Sequence, residues 1–202
     1  MKIEILPKEG RKGVLTLFVD GEIWRDLHTS WAGHHPVFPA CTTNEEWEAA
    51  FEQFEYKRVR GYVIWRLSAQ AYHSQTLSKM LRERSVRSST IDRVLKEFKA
   101  SGYINDEAWV ASYIESRQKR YGFNAILAQL RSKGLPAEVL QAIERPEKKE
   151  EHEKEGIVRL LRTRYRSKDL SEYKTKQKVF AALMRKGFAF ENIQCVLNDF
   201  EV

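Results

Sequence analysis

Side chains of the metal-ligating type come close together in this sequence between positions 28 and 41. His28, His34, His35 and Cys41 carry imidazole and thiolate groups, which are the ligands that zinc prefers. The two adjacent histidines point in different directions on an extended chain, and the spacing matches no zinc motif. We therefore interpret these side chains as loop residues and expect no metal site.

Motifs of catalysis do not occur in the sequence. It contains no GxxxxGK phosphate loop, no HExxH, no CxxC and no GxSxG. The adjacent carboxylates Asp106 and Glu107 are better explained by the first turn of a helix, where negative charge is favourable. Cys41 and Cys195 lie in unlike contexts, so free reduced thiols are the simplest interpretation and a disulfide is disfavoured. We expect a protein that is not an enzyme and uses no cofactor.

The positive charge of the chain is distributed unevenly. The formal net charge is +7, yet residues 1–44 carry five basic and five acidic side chains, and residues 45–55 carry five glutamates and no base. Residues 56–143 hold sixteen bases against seven acids, and residues 156–202 hold ten against five. This asymmetry predicts an electropositive surface that meets a polyanion, most plausibly nucleic acid or a filament containing it. A structural explanation competes, because cations in the last turn of a helix are favoured by the helix dipole.

The candidate binding residues are basic side chains that lie in or beside predicted helices. They are Arg82, Arg84, Arg117, Lys119, Arg120, Arg131, Lys133, Arg162, Arg164, Arg166, Lys174, Lys178, Arg185 and Lys186. If their contributions are unequal, we expect those of the last repeat, residues 146–202, to matter most.

The elements that position these residues form an internal repeat. Leu81 opens LRERSV, Leu130 opens LRSKGL and Leu183 opens LMRKGF, at spacings of 49 and 53 residues. Apolar residues recur four residues before each leucine and ten and thirteen residues after it, and such steps place side chains on one helix face. These positions hold Leu77, Ile126 and Val179, then Ile91, Leu140 and Ile193, then Val94, Ile143 and Val196. Each copy therefore predicts a helical hairpin, and repeats of this period form arrays.

The turn inside each hairpin carries a recognisable cap. Ser85, Gly134 and Gly187 stand between the two helices, and glycine most readily takes the left-handed conformation that closes a helix. Serine in the first copy is a departure. The next residue is apolar in every copy and folds back on the preceding turn in such caps.

A third helical stretch precedes each hairpin. Residues 45–70, 105–121 and 150–166 carry apolar residues at helical spacing. A capping box begins at Thr43, and Pro136 suits the first turn of a helix. The aromatic residues four apart in the first two stretches are explained first by core packing, with stacking on single-stranded bases as the alternative.

The predicted fold class is mainly α: a tandem array of three three-helix repeats, about nine helices, with a small N-terminal antiparallel β-hairpin or sheet. We place the β extension and linker at 1–44, repeat 1 at 45–102, repeat 2 at 103–145 and repeat 3 at 146–202. The charged segment PEKKEEHEKE, residues 146–155, is interpreted as a helix start.

The N-terminal piece differs in kind from the repeats. Residues 2–6 and 14–19 alternate or run apolar, and Asp20-Gly21 is a strong hairpin signal because both turn positions need positive φ. Residues 28–42 have the composition of an irregular linker. The opening MKIEILPKEG lacks the apolar stretch of a signal peptide, and no run of eighteen apolar residues occurs. We expect a cytoplasmic monomer with no membrane partner.

The segment GYINDEAWVASYIESRQKRYGFNAILAQLRSKGL, residues 102–135, resembles the RecX family of regulators of the RecA recombinase. The family pattern is a glycine-tyrosine, an aliphatic residue, an acidic pair, an aromatic, a basic SR run, and a glycine opening a helix that ends in a lysine-glycine turn. Its counterparts here are Gly102, Tyr103, Ile104, Asn105, Asp106, Trp109, Ser116, Arg117, Gly122, Gln129, Leu130, Lys133 and Gly134. The third copy and the LFVDGEIW hairpin are also similar to family members.

The resemblance implies a curved nine-helix array that lies in the groove of the RecA filament on single-stranded DNA. Such a protein restrains strand exchange, ATP hydrolysis and co-protease activity by occupation, and makes or breaks no bond. The implied partners are the RecA filament, single-stranded DNA and duplex DNA.

The sequence departs from the family pattern at several positions, and two alternative functions remain. Asn105 replaces an aspartate but still caps a helix well. Ala125 and Leu127 stand where many relatives place arginines, and Gln129 replaces a glutamate, so the middle repeat is less charged than expected. The alternatives are a DNA-binding regulator that uses helix-turn-helix-like modules and a protein-only adaptor.

Overall fold

The structure is a computed structural model that describes residues 1–135, 139–140 and 146–200. The chain divides into two units, which we call the N-terminal unit, Met1–Asn105, and the C-terminal unit, Asp106–Val202. The predicted fold class is confirmed, because the chain is mainly helical and carries a small antiparallel sheet at its N-terminal end.

The sheet has three antiparallel strands in the order β1-β2-β3. They are β1 Ile3–Pro7, β2 Val14–Val19 and β3 Glu22–His28. Asp20 and Gly21 join β2 to β3 with φ angles of 51° and 84°. Positive φ at both turn residues matches the right-handed twist of the strands, so the predicted hairpin is confirmed.

One helical turn, α1 Thr29–Ala32, interrupts the predicted irregular linker. His28 caps it, because its Nδ1 accepts a hydrogen bond from the Ser30 N–H at 3.1 Å. Trp31 is buried, and its indole N–H donates to the Arg84 carbonyl oxygen at 2.9 Å. The composition of residues 28–42 predicts a loop. It does not reveal this helical turn, because the turn is supported by a contact with Arg84, which lies far away in the sequence.

Three helices complete the N-terminal unit. They are α2 Asn44–Ala69, α3 Ser74–Arg82 and α4 Ser88–Ala100. The Thr43 hydroxyl and the Glu46 carboxylate form the predicted capping box at the start of α2. The sheet shares one hydrophobic core with these helices, in which Leu17, Trp47 and Phe51 are almost completely buried.

A buried glutamate joins α2 to the start of α4. The Glu55 carboxylate accepts hydrogen bonds from the Arg87 N–H at 3.2 Å and from the Thr90 hydroxyl at 2.5 Å. Arg87 is the N-cap of α4, and its guanidinium Nε also lies 3.1 Å from Glu55. The carboxylate therefore supplies an acceptor that the Arg87 side chain, as N-cap, does not.

Five helices of the C-terminal unit lie in the described residues. They are α5 Asp106–Gln118, α6 Phe123–Ser132, α7 Pro146–Thr163, α8 Tyr173–Arg185 and α9 Phe190–Asp199. The helix start that was predicted at 146–155 is confirmed, since α7 begins at Pro146. The predictions for Pro136 and Ile143 lie outside the described residues.

The repeated turns have the expected backbone. Ser85, Gly134 and Gly187 have φ angles of 59°, 75° and 82°. In the first and third copies the N–H of the following apolar residue donates to the carbonyl of the repeat leucine, at 3.2 and 3.4 Å. These are Schellman caps, and the serine adopts the same left-handed conformation as the glycines.

The repeat positions form the core of both units. Every apolar repeat position in the described residues is buried. The C-terminal unit packs one hydrophobic cluster around Leu130 and another around Leu183. Trp109 and Tyr113 are half-buried against the first of these clusters, with stacked rings 5.1 Å apart. Core packing therefore accounts for these aromatic residues.

Candidate polyanion-binding groove

The ends of α5, α7 and α8 meet in the C-terminal unit. Beyond α5, the N–H groups of Arg120 and Tyr121 both donate to the Arg117 carbonyl oxygen, at 2.9 and 3.0 Å. Beyond α7, two successive N–H groups donate in the same way to the Leu160 carbonyl oxygen. Three helix C-termini place partial negative charge here, and this favours cations at each end.

Five cations surround an open groove between these helix ends, which we call the basic groove. The groove has a volume of about 640 Å³. Its lining residues are Lys119, Arg120, Tyr121, Arg159, Leu160, Thr163, Arg164 and Lys186. Four of its five cations come from three different helix ends, and the fifth, Arg159, lies one turn before the end of α7.

Lys186 is the most constrained cation of the groove. Its Nζ lies 3.4 Å from the Arg120 carbonyl oxygen and 5.2 Å from the centre of the Tyr121 ring. A carbonyl oxygen and an aromatic face both attract an ammonium group. Lys186 therefore contributes positive charge to a fixed wall of the groove, whereas the side chains of Arg159 and Arg164 are exposed.

The groove cations are not neutralised by acidic side chains. Within the described ranges, none of the five has a carboxylate oxygen within 4.0 Å. Arginines of the N-terminal unit behave differently, because Arg60, Arg87 and Arg93 form ion pairs with glutamates at 2.8, 2.9 and 3.5 Å. The groove therefore keeps positive charge that is not paired with a carboxylate and that attracts an external anion.

Two glycines hold the walls of the groove together. The Gly122 N–H donates to the Lys186 carbonyl oxygen at 2.9 Å. A Cβ added at Gly122 would lie 2.2 Å from the Gly187 carbonyl oxygen, and one added at Gly187 would lie 2.6 Å from the Ala125 nitrogen. Both distances are shorter than van der Waals contact, so the turn before α6 and the turn before α9 touch backbone to backbone.

A buried carboxylate fastens the same two turns. Glu153 of α7 is only 5% exposed and accepts hydrogen bonds from the Phe123 N–H at 2.8 Å and the Ala189 N–H at 3.2 Å. The Asn192 side-chain amide donates to it as well, at 2.8 Å. One carboxylate thus caps the N-termini of α6 and α9 together. Its position relative to α9 repeats that of Glu55 relative to α4.

The predicted site residues outside the groove fall into several places. Arg117 and Lys133 pack on Tyr113, with their charged groups 5.4 and 5.5 Å from its ring centre. Arg162 lines a neighbouring open groove along α7, together with Arg159. The exposed residues Lys174, Lys178 and Arg185 lie on α8, and Arg131 and Arg166 are exposed on and near other helix ends.

Two predicted site residues belong to the N-terminal unit. Arg82 is exposed at the end of α3. Arg84 is half-buried, donates to the Met80 carbonyl oxygen at 2.9 Å and packs on the Tyr62 ring. The structure thus brings Lys119, Arg120, Arg164 and Lys186 together and does not gather the full set in one place.

Sequence reasoning missed Arg159, which lines the basic groove and also the open groove along α7 that Arg162 lines. The signal for it was present, because Arg159, Arg162 and Arg166 are three and four residues apart.

The other candidate chemistries have structural roles. In the described part of the chain, no three histidine, cysteine or carboxylate side chains converge as metal ligands would. Burial lowers the pKa of His28, and the Arg84 charge lowers it further. Cys41 and Cys195 are free thiols, as expected. Among the helices that the structure describes, none is long and apolar enough to cross a membrane.

Comparisons with known proteins find similarity to RecX proteins. The family model for the RecX third three-helix domain matches residues 151–197. A regulatory protein RecX of Geobacillus kaustophilus is 28% identical over 152 residues, which are 72% of this chain and 55% of the relative. One of Clostridium tetani is 26% identical over 205 residues, which are 98% of this chain and 92% of the relative. The chain covers about half the length of the Geobacillus and Bacillus relatives.

Two solved structures share the fold. A crystal structure of a regulatory protein RecX superposes with a TM-score of 0.60 at 24% identity, and covers 98% of each chain. RecX from Lactobacillus salivarius gives a TM-score of 0.60 at 19% identity, over 72% of this chain and 96% of that one. The chain therefore matches the RecX third three-helix domain over residues 151–197, is similar in sequence to regulatory proteins RecX, and has the fold of these two solved structures.

Proposed function

We propose that this protein is a non-enzymatic regulator that binds the RecA filament on single-stranded DNA and mainly inhibits its recombinase, ATPase and co-protease activities. The observation that carries the proposal is the basic groove, whose five cations have no carboxylate partner among the described residues. The curated relatives bear the name regulatory protein RecX, which supports a regulatory role.

A groove of this kind acts by occupation. Fixed cations on three helix ends match the spaced negative charges of a phosphate backbone or an acidic protein surface. Binding releases counterions, so affinity falls with salt, with a logarithmic slope of about 0.7 for each phosphate contacted on a single strand. Engagement of all five cations by phosphates gives a slope of about 3.5.

The test is the DNA-dependent ATPase activity of RecA, titrated with the full chain. We expect inhibition at ratios near or below equimolar, and no effect at large excess refutes the proposal. The variant Arg159→Glu/Arg164→Glu alters two exposed groove cations and leaves the constrained Lys186 in place. We expect it to need at least about tenfold more protein for half-inhibition, since two reversed contacts lose more than about 1.4 kcal/mol.

The matched control carries the same type of charge reversal away from the groove. Lys12→Glu reverses an exposed lysine of the N-terminal unit and leaves inhibition unchanged if the groove is responsible. Full inhibition by the groove variant would instead indicate a protein-only adaptor. Sequence-selective binding to duplex DNA without any effect on RecA would favour a DNA-binding regulator.

A further inference from the structure

An exposed tryptophan stands on the outer face of α2. Trp65 is 61% exposed, whereas Trp31 and Trp47 are buried and the other two tryptophans are half-buried. The neighbouring Ile64 is exposed as well, at 44%. Ile64 and Trp65 place two large apolar side chains next to each other in water, which makes this part of α2 a candidate contact surface.

A glycine opens a notch beside this ring. Gly61 lies one helical turn before Trp65 on the same face of α2, and Lys57 lies one turn before Gly61. A Cβ added at Gly61 would meet no atom within 4 Å. Glycine inside a helix destabilises it relative to alanine, and here neither positive φ nor close packing requires glycine. The missing side chain leaves open space one helical turn before Trp65 on this face.

An arginine without a carboxylate partner adjoins the notch. The Arg66 guanidinium carbon lies 5.7 Å from the centre of the Trp65 ring and 5.0 Å from that of the Tyr72 ring. Its Nη2 donates a hydrogen bond to the Tyr72 hydroxyl, and its Nε is buried without a hydrogen-bond partner in the described residues. Ring, guanidinium and ring therefore adjoin one another at the C-terminal end of α2.

The charge around the notch is positive and partly uncompensated. Residues 56–69 contain four basic side chains and no acidic one. Two of the four are engaged, because Arg58 donates to the Ala32 carbonyl oxygen at 2.8 Å and Arg60 pairs with Glu97 at 2.8 Å. The other two, Lys57 and Arg66, have no carboxylate within ion-pairing distance in the part of the chain described.

We infer that the Gly61 notch and the Trp65 ring form a stacking site for a base of single-stranded nucleic acid, with Lys57 and Arg66 facing the phosphates on either side. Exposed aromatic rings and guanidinium planes are the surfaces on which unpaired bases stack, and the open space at Gly61 admits a planar ring. The positive charge of Lys57 and Arg66 complements the phosphates that flank such a base. An acidic protein segment would meet the same cations, and the test below separates that occupant from nucleic acid. This site lies in the N-terminal unit and does not rest on the proposed function.

The test measures binding of the full chain to a fluorescent oligothymidylate at low salt by anisotropy. Stacking contributes about 1–3 kcal/mol per base, so we expect Trp65→Ala to weaken binding roughly 5- to 100-fold. Trp65→Phe retains an aromatic ring, so we expect its affinity to lie between those of the wild type and Trp65→Ala. The quenching of intrinsic fluorescence by the oligonucleotide decreases in Trp65→Phe, because the ring that contacts the base is gone.

Gly61→Ala separates binding from stability. The added methyl group enters the notch and raises helix propensity, so we expect binding to weaken several-fold while the thermal midpoint of the protein rises. Ile23→Ala is the control, because Ile23 is also an exposed apolar residue and lies on the sheet of the same unit. We expect this substitution to leave binding unchanged.

Two outcomes overturn the inference. One is wild-type oligonucleotide affinity in both Trp65→Ala and Gly61→Ala. The other is a loss of RecA binding in these variants with unchanged oligonucleotide affinity, which would identify the face as a protein contact. A RecA ATPase that is unaffected by the wild-type chain would refute the proposed function alone and leave this site standing.

Discussion

The contact between the turns of α6 and α9 predicts an order of stability among three glycine-to-alanine variants. At Gly134 φ is 75° and an added Cβ meets nothing within 4 Å, so alanine there bears only left-handed strain, about 1 kcal/mol. At Gly122 φ is −71°, which suits alanine, but the Cβ would lie 2.2 Å from the Gly187 carbonyl oxygen. Gly187 combines φ of 82° with a Cβ 2.6 Å from the Ala125 nitrogen.

The magnitudes follow from these distances. Gly122→Ala forces the turns apart, which costs about 1–3 kcal/mol for overpacking and about 1 kcal/mol for the hydrogen bond to the Lys186 carbonyl oxygen. We therefore expect about 2–4 kcal/mol for Gly122→Ala and about 3–5 kcal/mol for Gly187→Ala, against roughly 5–15 kcal/mol for a whole domain. The double variant costs less than the sum, because the first substitution already opens the contact.

Native-state hydrogen exchange read by mass spectrometry measures these losses locally. Peptides from α6 and α9 report the opening free energy of the C-terminal unit, and peptides from α2 in the N-terminal unit serve as the internal control. A Gly122→Ala variant that is as protected as Gly134→Ala would refute the backbone contact, since without that contact alanine at a φ of −71° costs less than alanine at a φ of 75°.

The remaining predictions concern single side chains. Ser85→Gly relieves left-handed strain at a φ of 59°, and we expect it to raise the free energy of unfolding by about 0.5–1 kcal/mol in urea titration. Glu153→Gln keeps one acceptor but loses the charge between two helix N-termini, so we expect a loss of about 1–3 kcal/mol, and an unchanged urea midpoint would contradict the double cap. The folded-state pKa of His28 is lowered, so its stabilisation is present above its unfolded pKa near 6.5 and is lost as pH falls through the folded value. In thermal melts from pH 7.5 to 5, His28→Asn therefore loses part of this pH dependence while retaining a cap on Ser30.

Local patterns in the sequence were sufficient to predict the helices and turns of the repeats. The apolar positions around Leu81, Leu130 and Leu183 depend on helical periodicity alone, and the described ones are buried. The capping box at Thr43 and the Asp20-Gly21 hairpin are likewise short-range devices, and both are confirmed. Serine at position 85 is a departure from the glycine of the other two copies, yet it adopts the same positive φ.

Features that depend on distant contacts were not predictable in this way. Glu153 sits in a run of charged residues that is typical of a solvated helix face, and its burial results from two helix N-termini that converge on it. The lack of room beside Gly122 depends on a turn 65 residues later in the chain. The basic groove contains four of the predicted cations together with Arg159. Spacing along one helix could not predict this set, because the groove forms where the ends of several helices converge.

The two turns that meet through Gly122 and Gly187 have a consequence for protein engineering. If the third repeat is grafted onto another scaffold, its turn at Gly187 still needs a glycine in the neighbouring turn, as at Gly122. The Glu153 carboxylate of the graft also loses the start of α6, one of the two helix N-termini that it caps. Removal of that repeat leaves the Phe123 N–H at the start of α6 without its acceptor. The third repeat must therefore be exchanged together with α6, because the backbone contact and the shared carboxylate join the two.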